Sequence, residues 1–237
     1  MGWMMFATVC AYFIKGLCGF ANTLVFSTIL SFSTNNVNIS PVELVLGLPS
    51  NIMISYKERK SIDWKVCLPL AGLVLLGDIP GILMLKNTDT QVIKGIFGFV
   101  IIAIGLEMLF REYMGSAKKS QILLIVIGVL SGILCGLYGI GALLAAYMGR
   151  VTDNSSAFKG NLCIVFLIDN LFRLVMYSVT GIITVDTLKQ SVLLIPFMGL
   201  GLYLGMKGSS FLDEKKIKKL VIIMLILSGI SLIVTLF

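Results

Sequence analysis

Histidine is absent from all 237 residues, which removes the commonest general base and metal ligand near neutral pH. Charge is scarce as well: 13% of the residues are Asp, Glu, Lys or Arg, against about 25% in soluble domains. Such a chain cannot clothe an apolar fold in hydrated side chains, and a water-soluble globule is excluded. The five cysteines, Cys10, Cys18, Cys67, Cys135 and Cys163, show neither metal-ligand nor disulfide spacing. They read as small apolar packing residues, so no metal and no other cofactor is expected. No Gly-x-x-x-x-Gly-Lys-Ser/Thr loop occurs, which speaks against direct ATP hydrolysis.

What is present is apolar. Hydrophobic residues make up 57% of the chain, and the mean hydropathy is +1.00. The net charge of +7 comes from short basic runs between apolar stretches, the pattern of cytoplasmic loops rather than of a nucleic-acid-binding face. Eight apolar segments stand out: Trp3–Ser31, Pro41–Tyr56, Trp64–Leu85, Val92–Phe110, Ile122–Met148, Ala157–Thr180, Thr187–Met206 and Ile217–Phe237. A bilayer crossing needs about 20 such residues. The expected fold is an all-α integral membrane protein, one polytopic domain over residues 1–237.

The chain repeats itself. Gly16-Leu17-Cys18-Gly19-Phe20 in the first segment is matched by Gly136-Leu137-Tyr138-Gly139-Ile140 in the fifth, and Gly77, Gly81, Gly105 and Lys94 recur as Gly201, Gly205, Gly229 and Lys218. A constant offset across four positions favours a duplication, with repeat one over 1–115 and repeat two over 120–237. The first and fifth segments are long and broken by glycines, which let a helix stop in mid-membrane.

Each of these two segments is either a single crossing or a re-entrant hairpin, and the distribution of basic residues separates the cases. Single crossings divide the loop lysines and arginines eight against nine. Hairpins place 14 on one side and leave Lys86, Lys94 and Lys189 on the other. The bias predicts hairpins, inverted repeats, a cell-membrane location and both termini on the non-cytoplasmic side. Half-helices of about 13 residues rise about 20 Å, two-thirds of a hydrocarbon core of about 30 Å, so the tips are expected to meet near the midplane.

A tip at that depth presents unsatisfied backbone N–H groups and a positive dipole end, which suits an anion. Gly16, Gly19, Phe20 and Asn22 at the first tip, and Tyr138, Gly139 and Gly141 at the second, are therefore candidate substrate-binding residues. Lys15 beside the first tip is an intramembrane charge, costly unless it has a role. Ser50 and Asn51 in the second segment and Asn161 in the sixth offer further donors. Arg173 joins them, four residues from Asp169, a spacing that also permits a self-neutralised pair. Asp78, beside Pro80, and Asp169 are the candidates for a coupling ion. Glu43, soon after Pro41, is expected to serve its helix end as a dipole partner.

Two halves, each opening with a glycine-broken segment of the form Gly-x-x-Gly-Phe/Ile, resemble the TauE/SafE sulfite exporter family over essentially the whole chain. The resemblance rests on Gly16, Gly19 and Phe20 and on Gly132, Gly136, Gly139, Ile140 and Gly141. It implies export or uptake of a small sulfur-containing or organic anion, such as sulfite or a sulfonate, driven by ion gradients. The expected function is secondary transport by alternating access, with a passive anion channel as the alternative. The absent histidines and the lack of paired catalytic carboxylates at one depth speak against a membrane enzyme or an assembly subunit. The expected partners are the substrate anion and the bilayer, with self-association left open.

Overall fold

The computed structural model describes residues 2–31, 39–87, 98–99, 101–103, 106, 109, 121–139, 141–152 and 154–234. Regular structure among them is helical: α1 (Gly2–Cys18), α2 (Asn22–Ser31), α3 (Ile39–Lys57), a 3-10 turn at Arg59–Ser61, α4 (Trp64–Asn87), α5 (Gln121–Tyr138), α6 (Ala142–Val151), α7 (Ser155–Val179), α8 (Val185–Ser209) and α9 (Glu214–Val234). Of the eight apolar segments, Val92–Phe110 falls largely outside the described residues.

Apolar stretches of 20, 25 and 25 residues in α4, α7 and α8 are long enough to cross a bilayer. Their outer faces are themselves apolar, with Leu76, Leu83, Val175, Val179, Val192 and Leu200 exposed. In lipid that is the solvated side, and the helix satisfies the backbone that lipid cannot. Polar residues mark the helix starts. Asn154 accepts from Ala157 N at 2.8 Å to cap α7, and Thr184 caps α8 by accepting from Thr187 N at 3.2 Å.

Packing runs across the chain rather than along it. Helix α1 lies along α8 and α5 along α4, while α3 and α7 pack against each other at the centre. Small residues permit the two lateral contacts. A Cβ at Gly16 would lie 2.6 Å from the Leu202 carbonyl oxygen and 2.8 Å from Gly205 Cα, and one at Gly136 would lie 2.8 Å from the Asp78 carbonyl oxygen. Gly201 and Gly205 meet the Val9 and Phe13 backbone in the same way, as Gly77 and Gly81 meet that of Val129 and Ile133.

Two breaks interrupt the helices. After α1 the chain leaves helical geometry at Gly19 (φ +90°) and Ala21 (φ +69°), and after α5 it does so at Gly139 (φ +69°). The left-handed conformation costs a non-glycine residue about 1–2 kcal/mol, so Ala21 is held there by its surroundings. Helix α2 folds back on α1: the Trp3 indole N–H donates to the Ile29 carbonyl at 3.0 Å.

One end of the bundle collects the C-terminal ends of α3 and α8 and the N-terminal end of α7. Lys57 Nζ donates to the Met206 carbonyl at 3.5 Å, Lys159 Nζ donates to Ser209 Oγ at 2.7 Å, and a Cβ at Gly160 would lie 3.2 Å from Glu58 Cβ. Lys57, Lys159 and Lys207 thus share one end of the molecule.

Candidate functional site

Both breaks open onto one cavity of about 570 Å³, counting its open side. Lys15 comes from α1, and Phe20, Ala21, Asn22 and Thr23 from the first break and the start of α2. Glu43, Gly47 and Asn51 come from α3, and Cys135, Gly139, Gly141 and Ala142 from α5, the second break and α6. Phe166, Asp169, Asn170 and Arg173 line it from α7. The sequence builds these walls by helical spacing. Glu43, Gly47 and Asn51 are four apart, and Phe166, Asp169, Asn170 and Arg173 fall at i, i+3, i+4 and i+7, so each set shares one helix face.

The starts of α2 and α6 bring backbone N–H groups to this wall. Val25 N bonds to Ala21 O at 3.1 Å and Ala145 N to Gly141 O at 3.0 Å; among the described residues, the N–H groups of Asn22, Thr23, Ala142 and Leu143, which open the two helices, have no carbonyl one turn back. Gly141, at the cap position of α6, supplies no side-chain acceptor. Such an end attracts negative charge.

The side chains add two cations and two carboxylates. Lys15 is 2% exposed, its Nζ 5.6 Å from the Tyr12 ring centroid, and no carboxylate stands within ion-pair distance of it among the described residues. Arg173 Nη1 lies 3.5 Å from Asp169 Oδ2 and its guanidinium 5.4 Å from the Tyr177 ring centroid. Glu43 Oε2 accepts from Asn22 Nδ2 at 2.6 Å and from Thr23 Oγ1 at 2.9 Å. The Thr23 hydroxyl also lies 3.2 Å from the Gly139 carbonyl, joining the two breaks directly. Both ends of the Asn51 amide and Glu43 Oε1 are buried without a hydrogen-bond partner among the described residues. Leaving a buried polar group unmatched costs about 1–3 kcal/mol, which a bound ligand would recover.

Of the residues expected from the sequence, Lys15, Phe20, Asn22, Asn51, Gly139, Gly141, Asp169 and Arg173 reach the wall. Others are placed elsewhere. Gly16 lies in the α1–α8 contact, and a Cβ at Gly19 would lie 3.1 Å from Lys159 Cγ. Ser50 donates back to the Gly47 carbonyl at 2.8 Å, and Asn161 Oδ1 accepts from Asp63 N at 2.7 Å. Asp78 is fully buried, within electrostatic reach of Asp169 and Arg173, but does not line the cavity. The side chain of Tyr138 lies outside the described residues. Glu43 does not act as the helix-end partner expected of it: α3 begins at Ile39, which puts Glu43 a full turn inside, on the cavity face. Thr23, Gly47, Cys135 and Phe166 were not anticipated, although the four-residue spacing from Glu43 to Asn51 was a usable signal.

The sulfite exporter TauE/SafE family model matches residues 4–232. The chain belongs to this family. As a TauE/SafE protein it is an integral multi-pass membrane transporter and not an enzyme. No curated protein and no solved structure matches it. Among the described residues of this TauE/SafE chain, no group of three or more Cys, Asp or Glu side chains could hold a metal ion.

Proposed function

We propose that this TauE/SafE protein is a secondary transporter of a small sulfur-containing or organic anion, sulfite or a sulfonate, working by alternating access. The observation that carries this reading is the cavity onto which both breaks open, lined by Lys15, which has no ion-pair partner among the described residues, and by Asn51, whose amide has no hydrogen-bond partner among them. An oxyanion there would take hydrogen bonds from the α2 and α6 backbone ends, the Lys15 ammonium and the Asn51 amide. Arg173 would approach it from α7. Asp78 and Asp169 flank Arg173 and are the coupling-ion candidates on that side.

The wider architecture we propose is two inverted repeats, 1–115 and 120–237, in which α1–α2 and α5–α6 are re-entrant hairpins. The reciprocal contacts support it: α1 lies on α8 as α5 lies on α4, with glycines 120 or 124 positions apart playing the same part. The shared end of Lys57, Lys159 and Lys207 also supports it, since eight simple crossings would put Lys57 on the opposite face from the other two. Both termini then lie outside the cytoplasm at the cell membrane. Because the close glycine contacts tie α1 to α8 and α4 to α5 across the repeats, alternating access is proposed to move these two paired bodies against each other about the α3–α7 contact.

Counterflow tests the function. Purified protein in liposomes preloaded with unlabelled sulfite or ethanesulfonate is expected to accumulate the labelled anion transiently above its outside concentration. Simple equilibration without overshoot would identify a passive channel, and no uptake of either anion would refute the transport of these substrates.

A further inference from the structure

We propose that Glu43 is the proton carrier of this transporter, entering the cavity protonated and donating its O–H to the bound anion, so that one proton travels with each negative charge. The inference rests on the anion-transport reading above and adds its driving force.

The argument starts from charge. With all four ionised, the Lys15, Arg173, Glu43 and Asp169 side chains of the cavity wall sum to zero. A cavity so composed offers a monoanion no net attraction beyond the helix ends. Asp169 is already matched by Arg173 at 3.5 Å, and Asp78 does not touch the cavity. Glu43 is the remaining wall carboxylate. Protonating it leaves the wall with one net positive charge, which a monoanion cancels.

The geometry around Glu43 suits an acid that exchanges a proton. Its side chain is 4% exposed. Oε2 is the acceptor atom, held by Asn22 and Thr23, which fixes the carboxyl plane. Oε1 is buried without a partner among the described residues, on a residue that lines the cavity. A proton on Oε1 becomes a donor toward an anion oxygen, whereas an ionised Oε1 would repel it. Donors rather than lone pairs surround Oε2, which disfavours a metal cation there.

The groups facing Glu43 are few. Helix α1 contributes Tyr12 and Lys15, and α7 contributes Arg173 with Asp169 beside it. Helix α2 contributes the neutral Asn22 and Thr23. The buried residues of α8, which also packs on α3, are Thr187, Ser191 and apolar ones. Lys15 is the cation that takes over when Glu43 gives up its proton. In the anion-loaded state Lys15 faces the substrate, and after release it stands opposite the ionised Glu43, so the empty carrier returns with its charges balanced.

The test uses whichever of sulfite and ethanesulfonate exchanges in counterflow, between pH values at which that anion keeps one negative charge, with protein-free vesicles as the blank. A pH difference of about one unit is expected to drive about tenfold accumulation, insensitive to an imposed membrane potential because proton plus monoanion is neutral. Glu43→Gln mimics the permanently protonated acid. It is expected to lose the pH-driven accumulation, bringing the ratio to about one, and to respond to membrane potential instead. A Glu43→Gln protein that still accumulates the anion under a pH gradient would overturn the proposal, as would accumulation driven by a sodium gradient. Should Glu43→Gln fail to fold, the unmodified protein decides: anion flux must carry protons into the lumen, and flux without acidification refutes Glu43. Absence of counterflow in the unmodified protein would refute the transport reading itself.

Discussion

Lys15→Met removes the one cation of the cavity wall that has no carboxylate within ion-pair distance among the described residues. Its effect on substrate can be sized from geometry. At about 4 Å and an effective dielectric constant of about 20, an ammonium attracts a monoanion by about 4 kcal/mol. Water and the neighbouring amides recover part of that, and a net loss of about 2 kcal/mol corresponds to a rise of roughly 30-fold in the half-saturating concentration. Stability should move the other way. Met matches the lysine stem in length and removes a buried charge whose desolvation is not repaid by a close ion pair, so the variant is expected to unfold at the same temperature or higher. The assay is counterflow over a range of anion concentrations, with thermal unfolding in detergent measured on the same preparation. A Lys15→Met protein with an unaltered half-saturating concentration would show that the anion does not bind beside Lys15, and the site as drawn would fall.

Asn51→Leu deletes an amide that has no partner among the described residues; it should weaken anion affinity by about 1.5 kcal/mol, roughly tenfold, while leaving thermal stability equal or improved, and a loss of stability would mean the amide serves the fold. Gly205→Leu forces a side chain into the Phe13 and Gly16 backbone and should cost about 3 kcal/mol, read as an earlier thermal transition, whereas Gly199→Leu, with nothing within 4 Å of its Cβ position, should be tolerated. In a cysteine-free background, Glu58→Cys with Gly160→Cys should form a disulfide under mild oxidation, since the Cβ positions are 3.2 Å apart, close to disulfide geometry. Failure to cross-link would place the α3 and α7 ends on different faces of the membrane.

Hydrophobic periods and glycine breaks were readable from the residues alone. The segments Pro41–Tyr56, Trp64–Leu85 and Thr187–Met206 correspond to α3, α4 and α8 within a few residues, because a bilayer crossing leaves little freedom in length. The separate roles of neighbouring glycines were not readable. Gly16 and Gly136 are packing residues, while Gly19 and Gly139 make the turns, and what distinguishes them is a partner helix far away in the chain: Leu202 and Gly205 for Gly16, Asp78 for Gly136. Glu43 was obscured by Pro41, which suggested a helix beginning there. Because α3 starts two residues earlier, the same carboxylate points a full turn inside. Lys15 and Arg173 were conspicuous, since an intramembrane charge stands out in an apolar sequence.

The lateral pairing of α1 with α8 bears on how the protein is made. When α1 leaves the ribosome, the surface that will receive Val9, Phe13 and Gly16 has not been synthesised, and it exists only once the chain extends through Gly205. Until then α1 must wait in lipid or beside an insertion partner with its small-residue face uncovered, so its docking on α8 is an assembly step that follows synthesis of almost the whole chain. Halves expressed as two separate polypeptides should each be short-lived alone and be rescued by co-expression, because each holds the docking groove that the other's first helix needs.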